Sequence, residues 1–179
     1  MKHIRGFTLL ELIVVIAIIG ILSVVILPSF KNALARSRDA TRLADMANIE
    51  KALRIYNAYN GNYPPIAESD CGGWDDSNGD ANGNGKPFIE VLADSGLMPR
   101  MPVDPSKELG CSAKRYRYYV YTAGSYGCDP ARGDFFVLGV TDMEGSSGPY
   151  PNSPGRGSGS CTTEWYNGGL EWYTLGYTK

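Results

Sequence analysis

Residues 7–27, FTLLELIVVIAIIGILSVVIL, form an apolar block of 21 residues whose only charge is Glu11. Such a block predicts a helix that is apolar on every side. At ~1.5 Å per residue it is also long enough to cross the ~30 Å core of a bilayer. Lys2, His3 and Arg5 precede it, which places the N-terminus on the cytoplasmic side and sends the rest outward. The remainder of the chain is a different material. Of 22 glycines only Gly6 and Gly20 precede Gly61, and of 11 prolines only Pro28 does. A Gly/Pro-poor N-terminal segment is joined to a loop-rich region of the size of one small domain.

Composition removes several functions. With 17 Lys plus Arg against 19 Asp plus Glu, the net charge of −2 gives no overall attraction to nucleic acid. The single histidine is His3, so no Ser-His or Cys-His dyad forms in the body of the protein. The chain contains no phosphate-binding loop, dinucleotide fingerprint or CxxC pair. The reading is therefore not an enzyme.

Helical patterning continues past the apolar block. Leu43, Met46, Ile49, Leu53 and Tyr56 step by three or four residues and mark one helix face, while Arg36, Arg38, Arg42, Asp45, Glu50 and Arg54 mostly fall elsewhere. Gly61 and the Pro64-Pro65 pair supply the stop. The expectation is one helix of about 54 residues, apolar all round in its first half and amphipathic in its second. A secretory signal cleaved after Ala33-Leu34-Ala35 is the competing reading, but the helical pattern runs straight through that point.

Glu11 carries the most information. A carboxylate at the centre of a membrane helix costs ~2.5–3.5 kcal/mol, less near an end. It needs a compensating partner, and nothing on the same span is expected to supply one. A cut between Gly6 and Phe7 creates a free amine four residues before Glu11, from the same or a neighbouring subunit. The alternative is that Glu11 lies at the interface and faces headgroups.

These residues carry a resemblance. Lys2-His3-Ile4-Arg5-Gly6 followed by Phe7-Thr8-Leu9-Leu10-Glu11-Leu12 resembles the leader and cleavage site of the bacterial type IV pilin and type II secretion pseudopilin superfamily. Arg38-Asp39-Ala40 through Asn60-Gly61-Asn62-Tyr63-Pro64 resembles the lower helix and its exit in the same proteins. The resemblance implies an α+β, type IV pilin-like fold: one long N-terminal helix packed by its C-terminal half on a small antiparallel sheet. It divides the chain into a leader (1–6), a transmembrane or filament-core helix (7–30), its amphipathic half (31–60) and an extracellular loop-rich β-sheet domain (61–179).

The same resemblance implies processing and assembly. Prepilin peptidase cuts after Gly6, and Phe7 is N-methylated. The single-pass precursor waits in the inner or cytoplasmic membrane. A pilus assembly platform and motor then extract it into a homo-oligomeric helical filament outside the cell. Glu11 pairs with a neighbour's Phe7 amine, and Gly20 and Pro28 weaken the helix where the filament extends. Independently of family, Gly costs ~1 and Pro ~3 kcal/mol in a helix interior. The implied function is a structural pilin; the alternatives are a type II secretion pseudopilin and a monomeric membrane-anchored binding protein.

The C-terminal region reads as short elements between loops. Phe88 to Leu92 predicts a short helix, the proline-rich stretch 97–105 excludes helix or central strand, and Pro-x-Asp-Pro at 102–105 resembles a segment preceding the first strand in pseudopilins. Strands are expected over 115–122 and 134–142, with one or two more within 165–177. The sheet is expected to bury the Leu43–Tyr56 face.

Four cysteines, Cys71, Cys111, Cys128 and Cys161, in an exported loop-rich domain argue for two disulfides. Three pairings exist; Cys71–Cys111 and Cys128–Cys161 are favoured, because each ties a long loop to a strand flank. A zinc site is the alternative, disfavoured by spacing and the lack of a ligand histidine.

Asp76, Asn78, Asp80 and Asn82 alternate as do the ligands of calcium loops, and Asn78-x-Asp80-x-Asn82-Gly83 copies the start of an EF-hand loop. The twelfth position is Ile89, with Glu90 beside it. Calcium and an ion-free polar loop both remain open, and pseudopilins that bind calcium do so in a later loop, here near 125–134. Lys114, Arg115 and Arg117 among tyrosines have the chemistry to touch DNA or host-surface glycans, or to form a solvated strand face or subunit contact. Residues 149–160, rich in Gly, Ser and Pro, read as a surface loop.

Overall fold

A computed structural model describes residues 7–66, 71–77, 87–106, 108, 110–112, 114–146, 148–156 and 161–179. It divides into two compact units, Met1–Ser37 and Arg38–Lys179. Helix α1 (Leu9–Asn60, 52 residues) belongs to both.

In the first unit α1 starts two residues later than the apolar block, because Thr8 caps it. The Thr8 amide and hydroxyl donate to Glu11 Oε2 at 2.8 and 2.9 Å, and the Glu11 amide donates to Thr8 Oγ1 at 3.3 Å. That reciprocal pair is a capping box, in which a threonine and a glutamate three residues on satisfy each other's backbone donors. It corrects the expectation that the span holds no partner for Glu11. The described apolar side chains stand in the open: Phe7 is 88% exposed and Ile21 71%. Among the described residues no helix is long and apolar enough to cross a membrane. The apolar block of the sequence continues into residues 24–28, whose side chains lie outside the description.

In the second unit α1 packs by one face on a four-stranded antiparallel sheet, β1 (Asp75–Asp76), β2 (Tyr116–Tyr121), β3 (Phe135–Val140) and β4 (Trp172–Tyr177), in the order β1-β2-β3-β4. The register pairs Tyr116 with Val140 and Tyr121 with Phe135 across β2 and β3. Phe135 pairs with Tyr177 and Val140 with Trp172 across β3 and β4. Met46, Ile49 and Leu53 are buried against Tyr116, Tyr118, Phe136, Leu138 and Val140, with Leu43 and Tyr56 at the margin. The α+β architecture expected from the sequence is the one observed.

The other face is also covered. Phe135 and Val137 meet Cys128, Trp165, Leu170 and Tyr173 in a second cluster, so all six residues of β3 are buried. Gly139 is needed there: a Cβ on it would lie 2.8 Å from Leu170 Cδ1 and from the Trp172 carbonyl. The short helix α2 spans Glu90–Asp94, two residues beyond the expected position, and the stretch 165–177 supplies a 3-10 turn, Trp165–Gly168, and one strand, β4, of the one or two expected.

The exit from α1 is determined locally. Gly61 takes φ 75° and its amide donates to the Asn57 carbonyl at 2.7 Å, the left-handed stop that glycine adopts without a side-chain clash. Tyr63 then donates from its hydroxyl to the Tyr177 carbonyl at 2.9 Å, and Tyr118 donates to that of Pro64 at 2.7 Å. These bonds tie the end of the helix to the far edge and centre of the sheet.

Candidate assembly site

The residues expected to serve processing and assembly belong to the first unit. Gly6 falls outside the described residues. Phe7 is the first described residue, exposed, one position before the Thr8 cap. Glu11 sits on the first turn of α1, its carboxylate turned back to Thr8. An acidic group there also meets the positive end of the helix dipole. Nothing lies within 4 Å of where a Gly20 side chain would start, so that glycine makes no close approach within the subunit. Helix α1 continues without a break through Pro28, whose side chain lies outside the description. The stretch offers an apolar cylinder with one carboxylate and no covering of its own.

At the start of the second unit stands a charged cluster that the sequence did not disclose. Arg42 is fully buried, on the same face as Met46 and Ile49, an exception among the six charged residues expected mostly to fall elsewhere. Its Nε and Nη2 donate to the two Asp104 oxygens at 2.8 Å each, Nη1 to Asp39 Oδ1 at 2.7 Å and Nη2 to Glu144 Oε1 at 2.8 Å. Arg38 grips Glu144 from the other side through Nε and Nη2. Asp39 accepts from the backbone amides of Glu144 and Gly145 at 2.9 and 2.6 Å.

The charges tune one another. Hydrogen bonds from Arg38, opposed by burial and reinforced by Arg42, hold the Glu144 carboxyl at about 2. Burial disfavours ionised Asp104, but the paired Arg42 bonds and the Ser106 amide outweigh it and hold that carboxyl below its usual range. Burial likewise opposes charge on Arg42, and the three carboxylates more than reverse it. The Pro-x-Asp-Pro segment thus delivers Asp104 to α1 as a bidentate clamp. The available signal was the position of Arg42, four residues before Met46 on the apolar face.

The remaining candidate residues are distributed as follows. The disulfides are Cys71–Cys111 and Cys128–Cys161. Asp76 is buried on β1 and is already neutralised: Arg117 Nε lies 3.0 Å and Arg115 Nε 3.2 Å from its oxygens, and the Cys71 amide donates at 3.2 Å. Asn78, Asp80 and Asn82 lie outside the described residues. No group of three or more His, Cys, Asp or Glu side chains able to hold a metal occurs among the described residues. Lys114 pairs with Asp142 at 2.9 Å. The three cations of the tyrosine-rich strand are therefore engaged within the subunit, which weakens the case for DNA at that face.

A family model described as the prokaryotic N-terminal methylation motif matches residues 1–27. Over 150 residues the chain is 31% identical to the type IV major fimbrial protein FimA of Dichelobacter nodosus, a match covering 80% of this chain and 87% of that protein. The chain belongs to the type IV pilin family. This pilin is also 37% identical over 60 residues to the type II secretion system core protein G of Pectobacterium carotovorum, covering 34% of the pilin and 38% of that relative. To the type IV wide pilus major component PilA4 of Thermus thermophilus it is 38% identical over 63 residues, or 35% and 48% of the two chains. The match thus spans less than half the length of these two relatives, but most of FimA. No solved structure gives a significant match to the pilin.

Proposed function

We propose that this chain is a structural subunit of a type IV pilus or related filament. Prepilin peptidase cuts it between Gly6 and Phe7, Phe7 is N-methylated, and the subunit polymerises through α1. One observation carries the reading: the described apolar side chains of the block 7–27 are exposed, and that block contains a single charge, Glu11. Such a surface is stable only in lipid or against other apolar helices. The precursor therefore resides in the inner or cytoplasmic membrane, and the polymer presents the second unit outside. Losing Lys2 and Arg5 changes the balance from 17 − 19 to 15 − 19, or −4.

In the filament the Phe7 amine of a neighbour compensates Glu11. The capping box supplies neutral donors to that carboxylate while the subunit waits in the membrane. Replacing Glu11 with alanine is expected to abolish surface filaments and leave membrane insertion intact. Unchanged filament yield would refute the assembly role. Mass spectrometry of the native protein should find an N-methylated Phe7 start; a Met1 or Arg36 start would remove the processing step. The second reading, a type II secretion pseudopilin, is supported by the core protein G match, which covers a shorter part of the chain than the FimA match.

A further inference from the structure

Beside α1, residues 97–103 leave an open groove of about 1030 Å³. Its floor is apolar, formed by Ile55 from α1 and by Met98, Met101 and Val103, the last 55% exposed. Pro99 and Pro102 restrict the backbone of the segment, and Asp104 anchors its far end to Arg42. Lys51 and Arg100 line the same groove, exposed and without an ion pair among the described residues. The one carboxylate of the lining, Asp45, accepts from the Tyr116 hydroxyl, so the apolar floor beside Lys51 and Arg100 complements an apolar knob flanked by carboxylates.

The same unit carries such a knob. In the connection between β2 and β3, Tyr126 is 53% exposed at φ 52°, followed by the exposed Asp129 and Asp134. Among the described residues those carboxylates accept from the amides of Ala131 and Ala123 at 2.9 Å each, and the connection's one cation, Arg132, lies over the Tyr177 ring 3.7 Å from its centroid. The connection lies at the end of the sheet where α1 stops: Tyr63, just past the helix, meets Phe136 edge-on with ring centroids 4.7 Å apart. The groove runs along α1 from Thr41 to Ile55, and no residue of the β2–β3 connection lines it. Knob and groove therefore do not meet within one copy. Between copies their contact is head to tail, and such a contact propagates into an open helical series when its rotation does not close.

We propose that the groove of each copy receives the Tyr126 loop of the next, with Asp129 and Asp134 facing Lys51 and Arg100. This rests on the filament reading above and specifies the axial contact that α1 alone does not. The test uses the full-length chain in its producing cell. Lys51→Glu combined with Arg100→Glu, and separately Tyr126→Ala, should each lower the yield of sheared surface filaments about tenfold. The subunit should still be cut at Phe7 and keep both disulfides.

A second arm does not depend on lost assembly. Val103→Cys with Tyr126→Cys should give a ladder of cross-linked multimers on oxidation of filaments, and neither single variant should. Wild-type yield from the charge-reversed chain, together with no ladder, overturns the inference while leaving the filament reading in place. Absence of wild-type filaments, or normal assembly by Glu11→Ala, overturns the filament reading and the inference with it.

Discussion

Arg42 is the residue on which the second unit most depends. Its guanidinium is fully buried, and three carboxylates from two distant loops and its own helix are neutralised by it and Arg38. Removing one partner of a buried ion pair leaves the other charges desolvated and unpaired, at ~3–5 kcal/mol. Arg42→Ala is accordingly expected to lower the unfolding free energy by about that amount, measured by urea denaturation. A loss below ~1 kcal/mol would show the cluster to be an ornament of an otherwise sufficient core. Glu144 gives the pH dependence. Its folded value of about 2 lies below the ordinary 4.5, so its stabilisation is complete above the latter and is lost as pH falls through the former. Glu144→Gln should flatten the stability profile between those limits, and an unaltered acid limb would dismiss this group as its source.

Among elements, β3 shows why a central strand reads differently from an edge. Phe136, Leu138 and Val140 alternate along β3 and pack on α1. Phe135 and Val137 are equally buried, because Trp165, Leu170 and Tyr173 return to cover the second face. That cover is held by Cys128–Cys161, which closes a separation of 33 residues, while Cys71–Cys111 closes one of 40 beside β1. Loops of this length gain roughly 2–4 kcal/mol from a cross-link. Replacing both Cys128 and Cys161 with serine should lower stability by about that much, read as a fall in the thermal midpoint with the second unit still folded in the cold. An unchanged midpoint would assign the cover's stability to its aromatic packing alone.

At the scale of the whole molecule, the two units have different reasons to exist. The first exposes its described apolar side chains and holds a single acid, Glu11. The second buries its own core, ties Tyr63 to the last strand and neutralises its inner charges without help. The expected consequences for assembly are the Glu11 and groove experiments above.

Much of this was legible beforehand. The apolar block, the Gly6-Phe7 and Glu11 spacing, the stepping of Leu43 to Tyr56 and the alternation of β2 and β3 are local periodicities, and local periodicity survives in one dimension. Thr8-x-x-Glu11 is also a capping-box pattern in the sequence, overshadowed by the cost of its carboxylate in lipid. The sequence by itself thus determined the kind of chain: an apolar helix continued by an amphipathic one, ended by Gly61 and followed by a small antiparallel sheet. Only the tertiary structure decided that Arg42 is a buried cation, that Asp104 and Glu144 come from afar to hold it, and that residues 97–103 leave a groove open. Those outcomes depend on contacts between residues some 60 to 100 positions apart, as from Arg42 to Asp104 and Glu144. A charge's cost or benefit is settled by what the fold brings beside it, and no local pattern records that.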